Sequence, residues 1–179
     1  MNKKVLVICG SPRKGGNSDT LCDQFIKGCT EVGNFAEKIY LRDKQINFCT
    51  ACYACKKTGK CVQKDDMAEI LEKMGEADVI VLATPVYFYS VDGQIKTMID
   101  RTLPCYYPET LNNKDFYFIA TAAEEKPAIE RAIDSLYGLT DCINGAKVKG
   151  VVYGAGAWQI GDIIGNPAME DAYRMGKKI

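Results

Sequence analysis

The sequence predicts an α/β fold: a five-stranded parallel sheet with helices on both faces, in three layers. Three observations predict it. Apolar strand-like runs alternate with amphipathic helical runs along the 179 residues. The runs Lys4 to Cys9 and Asp78 to Thr84 are apolar almost throughout, as parallel strands covered on both faces must be. The first of them leads straight into a Gly/Ser-rich loop, G-S-P-R-K-G-G-N-S from Gly10 to Ser18, which opens a helix.

The elements follow in order. After the first strand, Asn17 to Val32 reads as a helix. Asn17 or Ser18 caps it, Leu21, Phe25, Cys29 and Val32 form its inner stripe, and Gly33 ends it. Phe35 to Leu41 is a second strand with imperfect alternation. A cysteine-rich insert occupies about residues 47–63. Asp65 or Asp66 opens a helix that carries Met67, Ile70, Leu71 and Met74 on one face. The third strand, Asp78 to Thr84, is stopped by Pro85, and V-Y-F-Y-S follows as a loop. Gln94 to Leu103 is a helix, Phe116 to Thr121 a strand, Pro127 to Tyr137 a helix and Val148 to Tyr153 the fifth strand. Pro167 to Lys178 closes the chain as a helix with proline at its first position. No repeat or linker interrupts the pattern, so one domain over residues 1–179 is expected.

Composition excludes several functions. Lys and Arg total 23 and Asp and Glu total 23, with no basic stripe, so nucleic acid is not an expected partner. No apolar run approaches the roughly 20 residues that span a membrane. Met1 to Lys4 lead into a strand rather than a signal peptide, and a cytoplasmic protein is expected. Histidine is absent, which excludes a Ser-His-Asp hydrolase, a His-ligated metal and a His acid–base catalyst. The nine cysteines are odd in number, which argues against a disulfide scaffold.

The Gly10–Ser18 loop has the make-up of a phosphate cradle. Backbone N–H groups and the positive end of a helix dipole converge there. Ser11 and Ser18 offer hydroxyls, Arg13 a forked cation, Gly16 a close backbone approach and Asn17 a side-chain donor. Neither G-K-[ST] nor G-x-G-x-x-G is present, which points to a mononucleotide such as FMN. The second informative loop, Pro85-Val86-Tyr87-Phe88-Tyr89, follows the third strand. Its aromatics suit a planar ring system; the bland alternative packs at least one of them into the core or a subunit contact. In the strand order 2-1-3-4-5 these two loops flank the switch point, where ligands of such sheets bind.

The insert reads Cys49-x2-Cys52-x2-Cys55-x5-Cys61. Structural zinc usually takes two separated Cys pairs, whereas a run at x2 spacing is closer to ferredoxin-type ligation. The x5 gap departs from ferredoxins. Three readings stay open for this loop: an iron–sulfur cluster, reduced thiols or a labile disulfide, and zinc. Lys56, Lys57, Lys60 and Lys64 beside it would steady thiolates or attract an acidic partner.

S-P-R-x-G-G-N-S, then A-T-P-V-Y-F-Y-S, then G-Q-I-K-T-M-I-D-R resembles the NADPH-dependent FMN reductase group of the flavodoxin-like fold. The cysteine segment followed by D-D-M is similar to the iron–sulfur flavoprotein branch of that group. The resemblance covers about residues 3–103 well and the last third weakly. It implies FMN held by Ser11, Arg13, Gly16, Asn17 and Ser18 at its phosphate and by Pro85 to Tyr89 at its ring. It implies a 4Fe-4S cluster on Cys49, Cys52, Cys55 and Cys61, with NAD(P)H as co-substrate. The implied activity passes electrons from NAD(P)H through FMN to a quinone, a free flavin, a metal or the cluster. The rival is an electron carrier serving a ferredoxin-like redox protein. Relatives in this group are often homodimers or homotetramers. The segment Thr121 to Glu125 lacks the glycine-rich turn that many members carry.

Overall fold

A computed structural model describes residues 2–179. Its five parallel strands are β1 (Lys4–Cys9), β2 (Phe35–Tyr40), β3 (Val79–Tyr87), β5 (Asp115–Thr121) and β6 (Lys147–Gly154), in the order β2-β1-β3-β5-β6. Counted over the parallel strands alone, this is the expected 2-1-3-4-5. A two-residue strand, β4 (Ser90–Val91), pairs antiparallel with the end of β3 and was not expected from the sequence.

Alternation along the strands divides the core in two. Leu6, Ile8, Ile80 and Leu82 point to one face, where α3 (Met67–Glu76), α4 (Gly93–Asp100) and α6 (Lys126–Asp141) bury Ile70, Met74, Ile95, Met98, Ile129 and Ile133. Val5, Val7, Val79 and Val81 point to the other, against Leu21 and Phe25 of α1 (Asn17–Glu31) and Ala168 and Ala172 of α7 (Pro167–Gly176). Both faces are covered by helices, which is why β1 and β3 read as unbroken apolar runs. α1 and α7 pack backbone against backbone: a Cβ on Gly176 would lie 2.8 Å from the Cys29 nitrogen.

Several boundaries differ from expectation for identifiable reasons. β3 runs through Pro85 to Tyr87 instead of stopping at Thr84. The Gly10 N–H bonds the Ala83 carbonyl at 2.8 Å, just past the end of β1. By alternation Pro85 faces the same side, where no strand remains, so its missing N–H breaks no ladder bond. The expected helix Gln94–Leu103 ends at Asp100, and a separate turn, α5 (Leu103–Tyr106), follows. Pro104 lacks the N–H that would reach the Asp100 carbonyl, and its ring would crowd that group. At α1 the capping position is Gly16, with no side-chain cap; Asn17 and Ser18 lie inside the helix, and Val32 is exposed. α6 extends to Asp141, beyond Tyr137. The cysteine insert contains one helical turn, α2 (Cys55–Thr58).

Candidate functional site

The loop after β1 is held in shape by its own short-range bonds. The Arg13 N–H donates to Ser11 Oγ at 3.3 Å and the Gly16 N–H to the Arg13 carbonyl at 3.2 Å. Gly15 adopts φ +66°, in the left-handed region that favours glycine. Its N–H donates to Asp19 Oδ2 at 3.0 Å. Asp19 is buried, and burial alone would raise its pKa. Hydrogen bonds from the Lys38 ammonium (2.7 Å) and the Gly15 amide outweigh that and hold the carboxyl below its ordinary value. A charged anchor therefore fixes the loop from beneath while leaving the N-terminal end of α1 free to meet an anion.

The second loop is a tight hairpin. Val86 pairs with Val91 and Tyr87 with Ser90, and the two turn residues, Phe88 and Tyr89, have φ of 50° and 60°. Two consecutive left-handed residues match the twist of a two-residue hairpin. None of the three aromatics is buried, which overturns the alternative that one packs into the core; Phe88 is fully exposed at the tip. The Arg131 guanidinium lies 4.5 Å from the Tyr89 ring centroid, a cation–π contact that steadies this side of the hairpin. At the hairpin's base, Asp92 is fully buried and caps α4 by accepting the Ile95 N–H at 2.9 Å. The Thr84 hydroxyl donates to Asp92 Oδ2 at 2.8 Å. Burial pushes the Asp92 carboxyl above its usual range, against the hydrogen bonds it accepts.

These loops enclose one cavity of about 350 Å³ at the carboxyl end of the sheet, lined by all ten expected residues: Ser11, Arg13, Gly16, Asn17, Ser18, Pro85, Val86, Tyr87, Phe88 and Tyr89. Thr121, Ala122, Ala123, Glu124, Ala157 and Trp158 complete it. The Thr121 hydroxyl meets Ser18 Oγ at 2.7 Å in the buried floor. Ala157 and Trp158 come from the segment after β6, which the sequence marked only by a tryptophan in a glycine-rich run. That segment is laced to the first loop. Arg13 Nη1 donates to the Trp158 carbonyl at 2.8 Å, and Asn17 Nδ2 to the Gln159 carbonyl at 2.9 Å. Asp162 Oδ2 in turn accepts the N–H groups of Trp158 and Gln159. Donors at a helix N-terminus and an aromatic hairpin, with the exposed Trp158 lining the same cavity, form a donor set and shape that fit FMN.

The four insert cysteines line one small depression, about 20 Å³, with Arg101. Cys55 is buried, Cys61 half-buried, and Cys49 and Cys52 exposed. Ala51 and Tyr53 both hold left-handed backbone, φ 50° and 56°, an unfavourable conformation that surrounding structure must impose. The Ala54 amide, with Thr50, lowers the Cys52 thiol pKa, while burial raises that of Cys55. Among the described residues no three side chains already converge as a metal ion would require. The chemistry of the set, four sulfurs beside a buried cation, nevertheless fits an anionic iron–sulfur group.

The sequence model of one family, described as NADPH-dependent FMN reductase, matches residues 3–159. The chain belongs to this family. It is a flavoprotein oxidoreductase with a flavodoxin-like fold. An iron–sulfur flavoprotein of Archaeoglobus fulgidus is 35% identical over 98% of this chain and 78% of its own length. One from Methanocaldococcus jannaschii is 40% identical over 75% of this chain and 69% of its own. Among solved structures, the Trp repressor binding protein from Bacillus subtilis superposes with a TM-score of 0.70 at 26% identity, covering 96% of each chain. No helix among the described residues is long and apolar enough to cross a membrane.

Proposed function

We propose that this member of the family is an FMN-dependent NAD(P)H oxidoreductase that passes electrons to a quinone, a free flavin, a metal or an iron–sulfur cluster. The observation that carries the proposal is that residues from two loops some 70 positions apart in sequence line a single cavity with the N-terminus of α1 at its end. When bound, FMN supplies hydride acceptance and onward electron transfer. The chain supplies the rest. The Gly16 to Ser18 amides and the α1 dipole hold the phosphate. Arg13 adds charge there and ties the Trp158 segment to the phosphate end. The hairpin, braced by Asp92 and Thr84, offers a rigid wall for the ring. No histidine is needed, because hydride transfer depends on stacking and orientation more than on a protein acid or base.

Replacing Arg13 with Ala removes a charge-assisted bond of roughly 1.5–3 kcal/mol, so FMN should bind about tenfold to a hundredfold more weakly. Flavin-fluorescence titration measures this, and unchanged affinity counts against the cradle. Oxidation of NADPH or NADH by FMN-loaded protein, with a quinone as acceptor, tests the activity itself.

A second reading makes the protein an electron carrier for a ferredoxin-like partner, with a 4Fe-4S cluster on Cys49, Cys52, Cys55 and Cys61. The shared depression of the four sulfurs supports it, as do the exposed Phe48, Tyr53 and Val62 around a loop carrying four lysines. Absence of NAD(P)H turnover with any small acceptor, together with fast reduction by a ferredoxin, selects this reading. We also propose a single-domain homodimer or homotetramer, supported by the exposed rim of Phe88, Tyr89 and Trp158.

A further inference from the structure

The largest fully buried side chain is not apolar. It is Arg101, with 1% of its side chain exposed, at the C-terminal end of α4. A guanidinium is removed from water only where partners compensate. Its principal partner is Asp65, with 4% of its side chain exposed, which takes Nη1 at 2.7 Å and Nη2 at 2.9 Å in a two-pronged pair. The pair is joined to both ends of the cysteine loop. At the entry, Arg101 Nη1 donates to the Asn47 carbonyl at 2.6 Å, and the Asn47 N–H donates to Asp65 Oδ2 at 2.9 Å. At the exit, Asp65 Oδ1 accepts the first N–H of α3, from Met67, at 3.2 Å. Arg101 Nη2 also reaches Cys61 Sγ at 3.5 Å.

One polar group in this cluster has no partner. Arg101 Nε is buried and makes no hydrogen bond, while the Arg101 side chain lines the depression shared by the four cysteines. A buried donor left unmade carries a desolvation penalty, and it is the sole buried side-chain N or O among the described residues in that state. An anionic group among the thiolates is the missing partner that its position and charge suit.

We propose that Arg101, braced by Asp65, is the positioning residue of the cysteine loop. It closes the loop's base, orients the Cys61 sulfur and offers its remaining N–H to a sulfur-bound anion held there. This rests on the iron–sulfur reading of the loop. With its charge matched by Asp65, Arg101 acts on a group held there through its N–H bonds, and hydrogen bonds at cluster sulfurs stabilise the more negative, reduced state, so Arg101 also raises the reduction potential of that group.

The test uses FMN-loaded protein reconstituted anaerobically with ferrous iron and sulfide, comparing the wild type with Arg101→Lys, Arg101→Gln and the paired variant Asp65→Asn/Arg101→Gln. The paired variant removes both charges together and so keeps the test open if Arg101→Gln alone misfolds. Flavin content reports that the fold persists. Iron affinity should fall roughly tenfold to a hundredfold in Arg101→Gln, the range for lost outer partners of metal ligands. Where iron is retained, its midpoint potential by EPR titration should move negative. Lysine should restore part of the potential but not the forked bonds, so amide exchange at Asn47 and Met67 should be faster in all three variants. Wild-type iron affinity, potential and amide exchange in flavin-bearing Arg101→Gln, or in the paired variant, overturn the proposal. If the wild type itself takes up no iron, the cluster reading fails, and amide exchange alone then decides whether Arg101 clamps the loop.

Discussion

Gly28 and Gly138 both lie inside long helices, yet alanine should have opposite effects at the two. Alanine is favoured over glycine in a helix interior by about 1 kcal/mol. At Gly138 in α6 an added Cβ meets nothing within 4 Å, so that preference acts alone. At Gly28 in α1 the added Cβ would overlap the Tyr173 carbonyl oxygen of α7, 3.0 Å from its carbon and 3.1 Å from the Lys177 nitrogen. Comfortable separations are about 3.5–4 Å. The obstructing atoms are backbone, so no side chain can swing aside; α7 must move off α1 by on the order of 1 Å. A gap of that size forfeits a quarter to half of the dispersion energy at each contact it opens. Overpacking of this kind costs about 1–3 kcal/mol, and backbone against backbone belongs at or above the upper end. The net effect of Gly28→Ala is a loss of about 2 kcal/mol, against a gain of up to about 1 kcal/mol for Gly138→Ala. For a chain of this size that corresponds to melting roughly 4–8 °C lower and about 2–4 °C higher, respectively. Thermal unfolding followed by circular dichroism, at one fixed saturating FMN concentration, measures both. A Gly28→Ala protein that melts at or above the wild-type temperature would refute the close-packing argument. α7 also anchors the segment that brings Trp158 to the cavity, so the same variant should release FMN more readily.

Two further outcomes follow from the buried carboxylates. Hydrogen bonds from Arg101 pull the Asp65 pKa from 3.8 to about 2. A depressed folded pKa adds stability above the unfolded value that disappears as pH falls from about 4 through about 2, here on the order of 2 kcal/mol. Urea unfolding at stepped pH should show that acid loss in the wild type and a shallower slope in Asp65→Asn. The variant should also be weaker at neutral pH by about 3–5 kcal/mol, because Arg101 is left buried alone; equal slopes contradict the pairing. Gly10→Ala places a Cβ 2.9 Å from Asp92 Cγ and nearer still to Asp92 Oδ2 and Ile95 Cγ1. Asp92 is pinned by its cap and by Thr84, so the first loop must shift, and FMN affinity should drop about tenfold or more. Full affinity in a fluorescence titration argues that the loop is not held from that side.

Residue types and their spacing were enough to read the parallel sheet; its strand order came from the resemblance to flavodoxin-like proteins. Type and spacing also picked out the ten residues of the two leading loops, because hydrophobic period, glycine placement and loop position after a strand are local properties of the chain. The loop after Thr121, which carries Glu124, was readable as a strand-end loop beside the site, but Trp158 and Ala157 were not placed next to the first loop. They meet it only because α7 docks glycine to backbone on α1 and because β5 and β6 end at the same edge of the sheet. The hairpin at Phe88-Tyr89 was hidden because Pro85 reads as a strand stop until the end of β1 is known. Arg101 is the sharpest case. It falls inside the helix expected over Gln94 to Leu103, and only long-range folding brings Asp65 and Asn47, 36 and 54 positions away, to make burying its charge tolerable. Local chain chemistry determined where the two leading cavity-lining loops lie. Tertiary packing decided which distant groups complete them, since electrostatic and steric complementarity depend on separation in space, not along the chain.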